Sequence, residues 1–340
     1  MALPPSLLTL TRGGLFCERA GVYLDPLLPC SRALITHGHS DHARRGMGSY
    51  LSTHTTKPIL YHRLGSDISV ESVSYGEERT INGVRFSFHP AGHVPGSSQI
   101  RVEYQGEVWV YSGDYKTEDD GVSTPLEPIM CHTFISECTF GLPVYRWSPQ
   151  KKIFDELHAW WGGNVARGTH SVISVYSLGK AQRILEHLNR SIGPIHVHPV
   201  IEKTSEVLGY SHLSDADAGD TPLLIIKTPG EAVPKALLRS RPAEYATASG
   251  WMSIRGFKRR GDVARGFVLS DHADFDGLLH TIRATKAERV LLTHGYTAPL
   301  ARYLTETGVR AEELSAIAAG GETKEFTPSR IGSTIEVADE

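Results

Sequence analysis

No stretch of this 340-residue chain approaches about eighteen consecutive apolar residues, so no membrane-spanning helix is expected. Met1-Ala2-Leu3-Pro4-Pro5 lacks the basic segment and long apolar run of a secretory signal, and a cytoplasmic location is the expectation. The four cysteines, Cys17, Cys30, Cys131 and Cys138, form no CxxC pair, which fits reduced thiols rather than a disulfide framework. Positive charge is not in excess either. The formal net charge of −3 excludes a protein coated in basic surface. It leaves room for a local groove of Arg and Lys, which is enough to hold phosphates. Internal repeats and low-complexity tracts are also absent.

Histidine is plentiful, at 17 residues, and its placement is uneven. His37, His39, Asp41 and His42 fall within Thr36-His37-Gly38-His39-Ser40-Asp41-His42. The apolar Ala33-Leu34-Ile35 before them reads as the end of a buried strand. In extended backbone alternate side chains share a face, so His37, His39 and Asp41 are expected to converge while His42 points away. Imidazoles mixed with a carboxylate suit zinc or manganese, and two groups of ligands could serve two ions.

Further along, the same rhythm repeats: a β-run ends and a His or an acid follows. Residues 7–24 read as a β-hairpin about Gly13-Gly14. Asn82-Gly83 and Gln105-Gly106 mark two more hairpins. The first of these runs into Gly92-His93, the second into Ser112-Gly113-Asp114, and a strand over His132–Ser136 ends at Glu137. His93 is therefore read as the third imidazole and Asp114 as a bridging carboxylate. From about residue 149 the pattern becomes α/β: a helix from Gln150, strands at Ser171–Tyr176, Ile195–Val200 and Leu223–Lys227, and an amphipathic helix opened by Ser177-Leu178-Gly179-Lys180. That Ser/Gly turn is a candidate anion site with Lys180 beside it, or an ordinary strand–helix turn. Arg255, Lys258, Arg259 and Arg260 form a basic run near Trp251 and Phe257, either a phosphate track with a stacking aromatic or a solvated face. His272 and His294 are expected just past buried strands, with a helix over Phe275–Ala284 between them.

The ordered series His37-Gly38-His39-Ser40-Asp41-His42, Gly92-His93 and Asp114 resembles the ligand series of the metallo-β-lactamase fold. Glu137 in Ser-Glu-Cys-Thr, His272 in Ser-Asp-His-Ala, His294 in Thr-His-Gly and Ser177-Leu178-Gly179-Lys180-Ala181-Gln182 resemble the added motifs of its β-CASP nuclease branch. Phe140–Trp147 and Ala248–Met252 are similar to passages of bacterial ligase-associated DNA exonucleases. The resemblance implies an α/β protein, a four-layer αββα sandwich with an inserted α/β β-CASP-type cap. On that division, 1–144 is the first part of the sandwich, 145–262 the cap, 263–325 the sandwich's C-terminal part and 326–340 a tail of unread role. It implies two divalent ions, Zn2+ or Mn2+. His37, His39 and His93 would hold one, Asp41, His42 and His294 the other, and Asp114 would bridge them.

Hydrolysis of a phosphodiester needs an activated water, neutralised oxygens and a protonated leaving group. A hydroxide between the ions would be the nucleophile, with Asp41 and Asp114 in the catalytic set. His272 is assigned as general acid and Glu137 as the carboxylate that orients it. Ser177, Lys180, Ser98 and Arg255 are the candidate substrate contacts. The reading is a metal-dependent DNA exonuclease, from 5′ ends, acting in repair with a DNA ligase. A histidine at position 294 is the pattern of RNA-processing members, which makes an RNA nuclease the alternative. A small-molecule metallohydrolase is the third reading, and a metal-free nucleic-acid clamp the non-enzyme one.

Overall fold

The computed structural model describes residues 6–211, 213–215, 220–238, 241–254 and 265–314. The chain divides into two units, one of Met1–Asp119, Ser123–Pro143 and His272–Glu340, the other of Asp120–Val122 and Val144–Asp271. Both mix α and β, and the described residues form several sheets.

In the first unit, strands Thr9–Thr11, Gly14–Cys17, Val22–Leu24, Ala33–Leu34, Tyr50–Thr53 and Val70–Val73 lie side by side in chain order. The first three are antiparallel, and from Val22–Leu24 onward the pairings are parallel. A second sheet runs Ala311–Glu313, Arg289–Gly295, Thr133–Cys138, Glu107–Tyr111, Ser98–Tyr104, Val84–Pro90 and Glu78–Ile81. Its hairpins follow from local chemistry. Asn82 and Gly83 adopt φ of 48° and 82°, the left-handed pair that a two-residue turn needs to match strand twist. Gln105 and Gly106, at 50° and 85°, do the same in the next hairpin.

One apolar cluster is built from both sheets, with Leu15, Val22, Leu24 and Leu34 from the first and Phe86, Phe88, Val102 and Ile135 from the second. Burial of side chains of this size contributes roughly 1.5–3 kcal/mol each in transfer free energy. A second cluster joins Phe134, Val290 and Leu292 to Leu278, Ile282, Leu300 and Leu304 of helices Phe275–Ala284 and Thr297–Glu306. A third joins Ala33, Tyr50 and Val70 to Leu60 of helix Thr56–Leu64. Adjacent residues of one strand thus feed opposite faces, as Phe134 and Ile135 do.

The second unit holds a parallel sheet in the order Ile195–Val197, Leu224–Lys227, His170–Ser174, Ala243–Ala248, Arg265–Phe267. Ile173, Leu224 and Ile226 pack with residues of helices Gln150–Ala166, Lys180–His187 and Pro199–Val207, while Val172 and Ile225 pack on the other face. Burial on both faces explains why these strands read as continuous apolar runs.

Two expectations need correction. The strand expected over Ile195–Val200 stops at Val197, and Pro199 opens a helix instead. Proline has no N–H to lose in a first turn and its φ is already helical, while the His198 side chain accepts from the Val200 N–H. His294 does not lie past its strand but within Arg289–Gly295, and His272 lies well beyond Arg265–Phe267. The pairing of Thr133–Cys138 with Arg289–Gly295 shifts register between Glu137 and Cys138, where Cys138 faces Gly295 and His294 becomes the extra residue, at φ 51°.

That bulge depends on Gly295, whose φ is 93° and whose added methyl group would overlap the Cys138 carbonyl. Gly295→Ala is expected to lower stability by on the order of 2–3 kcal/mol through strain and steric overlap. Chemical denaturation of the variant beside the parent checks this, and an unchanged midpoint would refute it.

Candidate metal centre

Thr36 is where the histidine-rich loop is tied down. Its N–H donates to Asp25 Oδ1 at 2.8 Å and its hydroxyl to Asp25 Oδ2 at 2.6 Å. The Ser98 N–H and hydroxyl both donate to the Thr36 carbonyl, each at 2.9 Å. Arg63, from helix Thr56–Leu64, donates to the Gly38 carbonyl. Past His39 the chain turns, with the N–H groups of His42 and Ala43 donating to the His39 carbonyl at 3.2 and 2.8 Å. The expected extended alternation is therefore not what sorts the side chains. The turn sets Asp41 beside His42, at 3.6 Å, and leaves His37 with His39.

His93 is delivered by a tight loop in which Ser97 Oγ accepts from the N–H groups of His93 and Val94 at 3.1 and 3.2 Å. Thr53 and Thr56 hydroxyls hold the Gly96 carbonyl of that loop at 2.8 and 2.9 Å. Asp114 follows strand Glu107–Tyr111 through Gly113, at φ 53°, where an added Cβ would stand 2.7 Å from the Thr36 side chain. Glycine is what allows the two loops to meet there.

Among the described residues Asp114 is common to three donor groups. His37, His39, His93 and Asp114 form one, Asp41, His42 and Asp114 another, and Asp114, Glu137 and His272 a third, each with ligand atoms within 4.8 Å of one another. His39 Nδ1 stands 3.2 Å from His37 Nε2 and 3.1 Å from His93 Nε2. Asp114 Oδ2 is 3.4 Å from His42 Nε2, 3.7 Å from His37 Nε2 and 3.8 Å from His93 Nε2. His37 is fully buried and Asp114 is 5% exposed, whereas His39 is half-buried and Asp41 exposed. His294 is exposed and falls in none of these groups, its ring 5.3 Å from that of His42.

The electrostatics suit cations. Burial, reinforced by the imidazoles of His42, His93 and His39, pushes His37 well below its ordinary value, which leaves a lone pair for a ligand. Burial opposes charge on His42 too, but the carboxylates of Asp114 and Asp25 outweigh it and hold its proton well above the usual range. Burial likewise opposes the Asp114 anion, yet His42 and His272 outweigh it and keep Asp114 well below the usual carboxylate range. His42 Nε2 is sealed from solvent without a hydrogen-bond partner, while Nδ1 donates to Asp25 Oδ2 at 2.7 Å. A buried imidazole with one nitrogen fixed on a carboxylate and the other open is the arrangement of a metal ligand. Nitrogen and oxygen donors mixed this way fit zinc or manganese.

In the third group, Glu137 ends strand Thr133–Cys138. Its Oε1 accepts from the Tyr115 N–H and from His272 Nδ1, both at 2.9 Å, and its Oε2 from the Thr139 N–H at 3.2 Å. A carboxylate so engaged orients rather than ligates. His272 is partly exposed, and its ring lies 4.6 Å from that of His93.

The remaining sequence candidates belong to none of these donor groups. Ser98 is fully buried with its hydroxyl on Thr36. In the second unit, Lys180 is 4% exposed, with Nζ 3.2 Å from Asp271 Oδ2, and Ser177 is buried. The Gly179 N–H, expected to be open to an anion, donates to Gln182 Oε1 at 2.7 Å. Arg255 lies outside the described residues, as do Lys258, Arg259 and Arg260. Asp25 is the group that sequence reading missed. It follows strand Val22–Leu24 as an acid at a strand end, the same signal that marked Asp114.

No family model matches the chain. It is 28% identical over 307 residues to a probable DNA ligase of Opitutus terrae, across 88% of this chain and 30% of that protein. It is also 27% identical over 161 residues to the cleavage and polyadenylation specificity factor 73 of Drosophila melanogaster, across 45% of this chain and 23% of that one. To the endoribonuclease YSH1 of Saccharomyces cerevisiae it is 31% identical over 120 residues, across 34% of this chain and 15% of that one. The chain thus spans less than a third of each of these relatives. Among solved structures it is similar to a protein of unknown function from Enterococcus faecalis V583, with a TM-score of 0.57 at 12% identity, over 82% of this chain and 78% of that one. That likeness concerns the fold alone.

If Asp25 fixes the donor nitrogen of His42, Asp25→Asn should weaken zinc or manganese binding about 10–100-fold. Titration against a chromophoric chelator measures it, with circular dichroism to confirm folding. Unaltered affinity in a folded variant would exclude that role.

Proposed function

We infer that this chain, a homologue of the metallo-β-lactamase-fold β-CASP nucleases, is a metal-dependent phosphodiesterase that degrades DNA from 5′ ends, in repair alongside a DNA ligase. The observation that carries the reading is the pair of donor sets sharing Asp114, with Glu137 and His272 beside them. His37, His39 and His93 would hold one divalent ion, Asp41, His42 and His294 the other, with Asp114 common to both. When bound, such ions supply an acidified water and positive charge against the developing negative charge of the phosphate.

The protein's own groups account for the leaving oxygen. Glu137 accepts at both oxygens, so His272 must donate to it from Nδ1. In this reading the other ring nitrogen, Nε2, delivers a proton to the departing alkoxide. Glu137 is 1% exposed, so its contact with the His272 ring is made away from solvent. A thiolate leaves without a proton and has no use for this pair, which speaks for a phosphodiester over a thioester.

The same reading takes the first unit as the αββα sandwich, on the strength of two sheets with a common core and helices on their outer faces. It takes 145–262 as the β-CASP-type cap, where Ser177, Lys180 and Arg255 would meet substrate, and Ser98 would contribute from the sandwich. DNA is favoured by the relative matched over the larger share of this chain, a probable DNA ligase. RNA is the second reading, favoured by relatives named as an endoribonuclease and a polyadenylation factor and by His294. No helix among the described residues is long and apolar enough to cross a membrane.

End-labelled single-stranded DNA and RNA, incubated with the zinc- or manganese-loaded protein and with Asp114→Ala, test the assignment. Stepwise loss of DNA, absent in the variant, is the expected result, and preferential cleavage of RNA would move the chain to RNA processing. Loss of neither would refute a nuclease. His272→Ala should slow cleavage about 10²–10⁴-fold, the ordinary scale of a general acid.

A further inference from the structure

The loop that follows Asp25 displays what a folded chain ordinarily hides. Leu27 and Leu28 are each 45% exposed, and among the described residues no other two adjacent large apolar side chains are both so open. Single exposed leucines need no explanation, but a pair on a well-anchored loop does. The Leu27 N–H donates to the Gly13 carbonyl at 2.9 Å, and Arg44 Nη1 donates to the Leu27 carbonyl at 3.3 Å. The Gly48 N–H donates to the Cys30 carbonyl at 2.8 Å, and Cys30 Sγ lies 3.6 Å from Met47 Sδ. Pro26 and Pro29 bracket the two leucines and fix φ on either side. The side chains are thus held out by a backbone that is already ordered, so covering them costs little further conformational entropy.

Position and charge say what covers them. Two residues before Leu27, Asp25 holds His42; two residues after His42, Arg44 reaches back to Leu27. Two residues span at most about 7 Å of chain, so this loop adjoins the donor group of Asp41, His42 and Asp114. Arg12, next to Gly13, is exposed and Arg44 is partly exposed. Among the described residues neither has a carboxylate partner, whereas neighbouring Arg45 is paired with Asp67. The nearby exposed acid, Asp41, belongs to the donor group itself. A short apolar surface flanked by two such guanidinium groups matches a strand in which bases alternate with phosphates. A protein partner would have to bring two acids to the same spacing, whereas a nucleic acid carries them by construction.

We propose that Leu27 and Leu28 form a base-contacting surface for the DNA strand at the metal centre, with Arg12 and Arg44 on the flanking phosphates. This rests on the nuclease reading and deepens it, because every base has an apolar face and the contact therefore selects unpaired bases without selecting a sequence.

The test uses the full-length, manganese-loaded protein on two substrates. One is a single-stranded DNA oligonucleotide; the other has the same length but consists of tetrahydrofuran abasic residues, which keep the phosphates and lack the bases. Leu27→Ser combined with Leu28→Ser is expected to raise KM on the normal strand about tenfold, the scale of two half-covered leucines. It should leave kcat within about twofold and leave KM on the abasic strand unchanged. Leu27→Met with Leu28→Met, which keeps the apolar area, should restore the parent KM. Should the serine pair not fold by circular dichroism, Leu28→Ser alone takes its place, with a rise of about threefold. Arg12→Gln with Arg44→Gln should reduce the slope of log affinity against log salt by about 1.4, at about 0.7 per phosphate of a single strand. Fluorescence anisotropy with the metal chelated reads that slope. Equal rises on both strands, or no rise on either, would overturn the base contact and leave the nuclease reading intact. So would a serine variant that loses a dimer in sedimentation while keeping its KM, since the face would then join copies of this chain. A parent protein that cleaves neither strand would remove the DNA reading and this contact with it.

Discussion

Asp114 is the constraint on which the rest of the site depends. A carboxylate nearly sealed from water, with three imidazole nitrogens within 3.8 Å, is stable only if positive charge accompanies it. His42 leans that way, its proton held well above the usual range by Asp114 and Asp25 despite burial. Two divalent ions would do the same work more completely, and His37, pushed toward its neutral form by burial and by its neighbours, is already suited to receive one. The donors are held together against mutual repulsion by groups that have no ligand role. Asp25 fixes Thr36 and His42 at once, Ser98 fixes Thr36 from the other sheet, and Ser97 fixes the loop of His93.

Much of this was legible in the residues. Asn82-Gly83 and Gln105-Gly106 announce their hairpins because only a few residue types accept paired left-handed φ. Helix Phe275–Ala284 falls where its periodicity puts it, and Asp274 caps it. His37, His39, His93 and Asp114 meet as their spacing after strand ends suggested. The less legible parts are those set by non-local contacts. The turn that pairs Asp41 with His42 depends on backbone bonds to His39 within a loop pinned by Asp25, Ser98 and Arg63, none of which local alternation encodes. The bulge at His294 is a feature of its pairing with Thr133–Cys138 and cannot be read from Arg289–Gly295 alone. The burial of Lys180 is not legible locally, because its ion-pair partner Asp271 lies far away in sequence.

The division of labour among carboxylates is equally physical. Asp114 has imidazole nitrogens before it and Asp41 faces solvent, so both keep lone pairs for cations. Glu137 and Asp25 have theirs filled by N–H and O–H donors, which commits them to aiming histidines, His272 and His42 respectively. Residue type alone does not separate these roles. What separates them is the number of donors that surrounding backbone presents, and that is settled by where each strand ends.

Strand direction explains why those ends coincide. In the second sheet Glu107–Tyr111, Thr133–Cys138 and Arg289–Gly295 run parallel, and two antiparallel steps bring Val84–Pro90 back to the same direction. Pro90, Tyr111, Cys138 and Gly295 therefore finish on one edge, and His93, Asp114, Glu137 and His294 are carried there with them. In the first sheet Val22–Leu24, Ala33–Leu34 and Tyr50–Thr53 are parallel too, which brings Asp25, the histidine loop and Thr53 to a common edge. A polar centre of this density could not sit in the shared apolar core between the sheets without unpaired charge. At the joined edges each donor has its own strand behind it and backbone N–H groups around it. The fold thus supplies, from strands distant in sequence, the rigid spacing that a single loop could not maintain among mutually repelling ligands.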